Sequence, residues 1–164
     1  MQRTPFNQMA CSVARTLDII GEWWTLLILR DIFYGVHRFD ALRRHLGISR
    51  KVLTNRLGTL VENEILERVQ YREKPIRHEY RLTERGRDLF PVIVLLMDWG
   101  DRWLTEPGEE PVELVDRDTG EPLIPTLVSA DNGLKISFET TQVRMGSTRH
   151  EEAWRRLQAA KEPD

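Results

Sequence analysis

Between Arg50 and Asn63 the apolar residues Leu53, Leu57, Leu60 and Val61 recur at i, i+4, i+7 and i+8, which puts all four on one side of an α-helix. At about 100° per residue the apolar side centres near Leu57 and leaves Lys51, Asn55, Gly58 and Thr59 opposite, with Thr54 on the flank. Gly47 marks the end of the preceding segment, and Ser49 is a natural N-cap for this helix. The chain therefore contains a glycine bend followed by a helix that is half apolar and half polar.

The neighbouring segments supply a core for that helix. Val13, Leu17 and Ile20 predict a first helix from Cys11 that stops at Gly21. Trp24, Leu27, Ile28 and Ile32 predict a second one, apolar enough to be buried on most sides, and Phe39, Leu42 and Leu46 a short third. Ile65 to Tyr71 and Glu79 to Leu82 read as a hairpin with the charged tip Arg72-Glu73-Lys74-Pro75-Ile76-Arg77. Thr83 caps a long closing helix with Leu89, Val92, Leu96, Trp99 and Trp103 stepping by three and four residues, and Pro91 should kink it. After Glu106-Pro107-Gly108 come short apolar runs around the turns Asp118-Thr119-Gly120 and Asp131-Asn132-Gly133, without an internal repeat. Thr148 to Glu151 matches a capping box for a last helix carrying Trp154 and Leu157.

These elements predict a mainly α fold with a small β wing. It consists of a winged helix-turn-helix domain over residues 1–104 and a β-rich extension over 105–164 that ends in a short helix. The net charge of -2 conceals a division: residues 1–104 carry 17 Lys+Arg against 13 Asp+Glu (+4), and residues 105–164 carry 7 against 13 (-6). The densest positive stretch runs from Arg38 to Arg56. An amphipathic helix with an outward Lys and Asn suits the DNA major groove, which admits one helix. Lys51, Thr54 and Asn55 are the candidate base-edge residues. Ser49, Arg50 and Arg56 sit where phosphate contacts of double-stranded DNA are expected, Arg38 and Arg43 of the same positive stretch are further DNA-binding candidates, and Arg72, Lys74 and Arg77 on the wing would reach an adjacent minor groove or phosphates. The rival reading is a winged-helix module that docks protein or senses a ligand without binding DNA.

The run Cys11-Ser12-Val13-Ala14-Arg15, then Ile20-Gly21, Trp24 to Arg30, Arg38-Phe39, Ile48-Ser49, Lys51 to Thr54, Arg56-Leu57, Glu79-Tyr80, Leu82-Thr83 and Gly86 resembles the HxlR-type bacterial transcriptional regulators over about residues 8 to 104. The resemblance implies a homodimer on operator DNA, built through the first and the closing helices, so Leu89, Val92, Leu96, Trp99 and Trp103 are the implied dimer residues. It also implies repression or activation in response to a small-molecule effector or a redox signal. Two features depart from the family: Glu22-Trp23 stands where Gly-Lys commonly precedes the tryptophan, leaving Trp23 to pack or to line a pocket, and the extension lacks the paired cysteines of some members.

Cys11 is the only cysteine, so an intramolecular disulfide and a cysteine-based zinc site are excluded. At a helix start, with Arg15 one turn on, it reads either as a redox sensor or as a small buried residue. The four histidines lack metal spacing, no glycine-rich phosphate loop occurs, and the acid pairs Glu109-Glu110 and Glu151-Glu152 read as solvated, so no catalytic residue, cofactor or metal is expected. The longest apolar run, Val92 to Met97, is far short of the roughly 20 residues of a membrane helix. With no apolar leader at the N-terminus, the chain is expected in the cytoplasm.

Overall fold

The computed structural model describes Phe6 and residues 9–160. In the unit Met1–Thr105 the elements follow as α1 (Ser12–Ile20), α2 (Trp23–Phe33), α3 (Phe39–Leu46), α4 (Arg50–Glu62), β1 (Leu66–Glu73), β2 (Ile76–Leu82), α5 (Glu84–Arg87) and α6 (Phe90–Leu104). Ile28, Leu29 and Ile32 of α2 meet Leu42 of α3 and Leu53, Leu57 and Leu60 of α4, with Ile65 and Leu66 closing the core where the hairpin begins. Each such side chain contributes about 1.5–3 kcal/mol by leaving water. Asp31 of α2 is also fully buried, and its carboxylate is satisfied by Arg30 Nη2 at 2.8 Å and His45 Nδ1 at 2.6 Å, which ties α2 to the end of α3.

The bend before α4 forms because Gly47 takes φ +67, a left-handed conformation that ends α3, and returns its N–H to the Arg43 carbonyl. Ile48 then drops into the core, and the Ser49 hydroxyl oxygen accepts the Val52 N–H at 3.2 Å.

The hairpin is longer than the sequence pattern predicts. Its ladder continues through Arg72↔Arg77 and Glu73↔Ile76, so only Lys74-Pro75 turns. The irregularity between Gln70 and Arg72 absorbs Tyr71. Residues 37–38 add a short third edge, with Tyr80 N–H on the His37 carbonyl at 2.8 Å and a bridge from Arg38 to Glu79.

The base of the hairpin is fastened by Thr83, whose hydroxyl donates to the Glu64 carbonyl at 2.6 Å and accepts the Gly86 N–H at 3.0 Å. Gly86 is required there, since a Cβ would sit 2.1 Å from the Ile65 carbonyl oxygen.

The closing helix differs from expectation. It is interrupted at Asp88-Leu89, and Pro91 lies in the first turn of α6 instead of kinking a continuous helix. A proline there lacks only an N–H that the first turn would leave unpaired. Leu89 packs on the intrachain core, whereas Val92, Leu96, Trp99 and Trp103 are exposed. Val13 and Leu17 of α1 are exposed as well, and Ala14 and Ile20 face inward. No helix among the described residues is long and apolar enough to cross a membrane.

The second unit, Glu106–Asp164, contains isolated bridges in place of the expected strands, Val115↔Pro122 and Val128↔Lys135. It also contains an internal repeat, where the sequence pattern was read as having none: Leu114-Val115, Asp118 and Gly120 return as Leu127-Val128, Asp131 and Gly133. Asp116 N–H to Glu121 O, Gly120 N–H to Asp116 O and Leu123 N–H to Leu114 O recur thirteen residues on as Ser129 to Leu134, Gly133 to Ser129 and Ile136 to Leu127. The side-chain caps correspond too: Thr119 Oγ1 accepts from Glu121 N–H at 3.2 Å, and Asn132 Oδ1 from Leu134 N–H at 3.0 Å. A last helix, α7, spans Glu151–Ala159 after a 3₁₀ turn. Ser147, not Thr148, caps that turn, because its hydroxyl oxygen accepts the Arg149 N–H and the capping box does not form.

Candidate nucleic-acid interface

With Leu53, Leu57 and Leu60 buried, the helical period turns Lys51, Thr54 and Asn55 to solvent, and all three are exposed on α4. Gly58 and Thr59 lie half-buried on the same side. Ser49 and Arg50, at the start of the helix, are exposed. The Arg50 guanidinium lies 5.3 Å from the Phe39 ring centroid and 3.8 Å from the Asp40 carboxylate.

A cleft of about 550 Å³ opens between α3, the first turn of α4 and the hairpin. Arg38, Arg50 and Arg77, three of the sequence candidates, line it together with Arg44, Arg68 and Tyr71. Arg38 is held over the Tyr71 ring at 4.5 Å, which fixes a cation at the cleft wall while leaving its charge unpaired by carboxylate in that contact. Arg68 Nη2 meets His78 Nδ1 at 3.0 Å across the ladder. Arg72, Lys74 and Arg77 are exposed near the hairpin tip, with Arg72 Nε donating to the Lys74 carbonyl at 3.0 Å. Arg72 and Arg77 are cross-strand partners. Like charges opposed in a ladder cost stability, about 0.2–1 kcal/mol by the scale of such pairs, so this arrangement suits a polyanion more than it suits the fold.

Two candidates stand apart. Arg43 is half-buried with its Nε enclosed and unpartnered, because a helical wheel centred on Leu42 puts Arg44, not Arg43, opposite the core. That signal was present in the sequence and would have selected Arg44. Arg56 is also half-buried, and its Nη2 bonds Glu22 at 2.9 Å. Arg56 lies on the border of the apolar face, so the pair joins the start of α2 to the middle of α4. Trp23, beside Glu22, is 91% exposed among the described residues. Tyr71 escaped the sequence reading because a bulge re-aims it, and Arg68 because its partners come from the opposite strand. Cys11 is exposed and precedes α1, which removes its reading as a buried apolar residue. Among the described residues no group of His, Cys, Asp or Glu is arranged to hold a metal ion.

A buried-leucine helix after a glycine bend, flanked by a basic two-stranded wing, defines a winged helix-turn-helix protein. The model of the HxlR-like helix-turn-helix family matches residues 19–107, and the chain belongs to that family. It is 51% identical over 126 residues to the uncharacterized HTH-type transcriptional regulator Rv3095 of Mycobacterium tuberculosis, a match covering 77% of this chain and 80% of the relative. The crystal structure of PA1607, a candidate transcription factor, superposes with a TM-score of 0.76 at 39% identity, covering 86% of this chain and 99% of that one. The oxidized form of the redox regulator HypR matches with a TM-score of 0.53 at 35% identity, over 56% of this chain and 96% of that one. The protein is thus a transcriptional regulator of the HxlR type, not an enzyme.

Proposed function

We propose that the protein regulates transcription as a cytoplasmic homodimer that binds an operator, with α4 of each protomer in successive major grooves about one helical turn apart. The observation that carries this reading is the division of α4 into a fully buried leucine face and an exposed Lys51, Thr54 and Asn55 face beside an arginine-lined cleft. Lys51 and Asn55 read base edges, while Ser49, Arg50, Arg38, Arg44 and the wing residues Arg72, Lys74 and Arg77 hold phosphates. Arg43 and Arg56 are left out of the phosphate set. Dimerisation is supported by the exposed apolar residues of two helices: Val13 and Leu17 on α1, and Val92, Leu96, Trp99 (54% exposed) and Trp103 (69% exposed) on α6.

Duplexes selected from a random library by the wild-type protein provide the test. Lys51→Ala should flatten the preference at one or two positions of the selected site, by about 1–3 kcal/mol each. Lys74→Ala should weaken binding to every duplex and lower the salt slope by about 0.9 per protomer. Unchanged binding in both variants would remove the assigned face, and wild-type affinity indifferent to salt would favour a protein-docking module.

The signal is read at Cys11, an exposed thiol at the start of α1. The likeness to HypR, a redox regulator, supports an oxidant or electrophile as effector. Diamide should change the operator affinity of the parent and leave Cys11→Ser unaffected; an equal response in both would assign the signal elsewhere.

A further inference from the structure

We propose that Glu22 is a specificity-determining residue that withholds Arg56 from the DNA backbone. The inference rests on the DNA-binding reading above and deepens it.

Arg56 is the basic residue of α4 whose charge is taken up inside the fold: its Nη2 lies 2.9 Å from Glu22 Oε2, and the two side chains are only 27% and 33% exposed. Lys51 carries no such bond, and Arg50 reaches a carboxylate only at 3.8 Å with both partners largely in solvent. The bond is imperfect, since the Nε of Arg56 is enclosed without a partner. A guanidinium with an unmet donor gains by moving to a site where an oxyanion takes two N–H groups, as the two non-bridging oxygens of a phosphate do. Glu22 is what opposes that movement. Holding Arg56 inward removes one sequence-independent phosphate contact per protomer and leaves a larger share of the binding free energy to Lys51 and Asn55. Specificity is a difference of affinities, and a withheld non-specific contact raises it as surely as an added specific one.

The experiment measures binding to a short duplex of arbitrary sequence over a series of salt concentrations, for wild type, Glu22→Gln, Arg56→Gln and the double variant, with melting curves for each. Arg56→Met, which keeps the aliphatic stem, replaces Arg56→Gln if the latter melts early. Glu22→Gln should steepen the dependence of log affinity on log salt by about 0.9 per protomer, about 1.8 for a dimer. In the Arg56-substituted background the same change should have less than half that effect, because there is no guanidinium to release. Equal steepening in both backgrounds would make Glu22 a bare repulsive charge and overturn the proposal, as would no steepening in either. If the wild-type protein shows no salt-dependent binding at all, the DNA-binding reading fails first and this one falls with it. A sloped wild type matched by Glu22→Gln sinks this inference alone.

Discussion

The two units of the chain are held together by different physics. All fourteen buried apolar residues of the described chain lie before Thr105, while no described residue after it is buried. The first unit is a packed core, in which each leucine of α4 fixes the rotation of the helix and so decides which side chains face outward. The second is a series of local turns closed by backbone and side-chain hydrogen bonds, with Ile124 at 89% and Phe138 at 97% exposure. Position in a core is cooperative, and position in either of the two repeated turns, the first knuckle over residues 114–123 and the second over 127–136, depends on a few neighbouring residues. Function placed on α4 therefore inherits the rigidity of the whole first unit.

The largest effect that follows is on stability. Leu53→Ala removes a fully buried side chain between α2 and α4 and should cost about 2–5 kcal/mol in urea denaturation followed by far-ultraviolet circular dichroism. Leu134→Ala, the same change in the second knuckle at a half-exposed residue, should stay within about 0.5 kcal/mol. Similar costs for the two would mean that the extension has a core of its own, and the contrast between the units would disappear.

The same contrast explains what could be read from the sequence. The leucines of α4 announced the helix, its buried face and the outward residues Lys51, Thr54 and Asn55, because helical period and burial are coupled wherever a core exists. Gly47 and Ser49 announced the bend by local backbone chemistry. Tyr71 was illegible, because the bulge that re-aims it depends on register across the hairpin. The pairing of Arg56 with Glu22 was illegible as well: the residues are 34 apart in sequence, and their meeting depends on how α2 packs on α4. In the extension, the repeat was legible but missed: Leu114, Val115, Asp118 and Gly120 recur thirteen residues on as Leu127, Val128, Asp131 and Gly133, while the polar residues that make the side-chain bonds differ.

That difference in polar residues gives the finest division, between the two knuckles themselves. In the first, the Asp116 carboxylate accepts the Thr119 N–H at 2.8 Å, the Asp118 N–H at 2.9 Å and the Thr119 hydroxyl at 3.1 Å. These bonds favour the charged form, the backbone N–H of Thr119 most, and hold the Asp116 carboxyl below its ordinary value of 3.8. A pKa lower in the folded than in the unfolded state means that the stabilisation is complete above the unfolded value and is lost as pH falls through the folded one. The second knuckle has Ser129 at the equivalent position and the Asn132 carboxamide as its cap, neither of which titrates. Following the Gly120 and Gly133 amides by NMR from about pH 6 down to about pH 2, in the parent and in Asp116→Asn, should show a step at Gly120 in the parent that the variant loses, while Gly133 behaves alike in both proteins. Asp116→Asn keeps an oxygen for the two N–H groups but cannot titrate, so it should abolish the Gly120 step while leaving the turn in place. Coincident steps at both glycines, surviving in Asp116→Asn, would mean that the extension opens as one acid-sensitive body and that its two knuckles are not separate local structures.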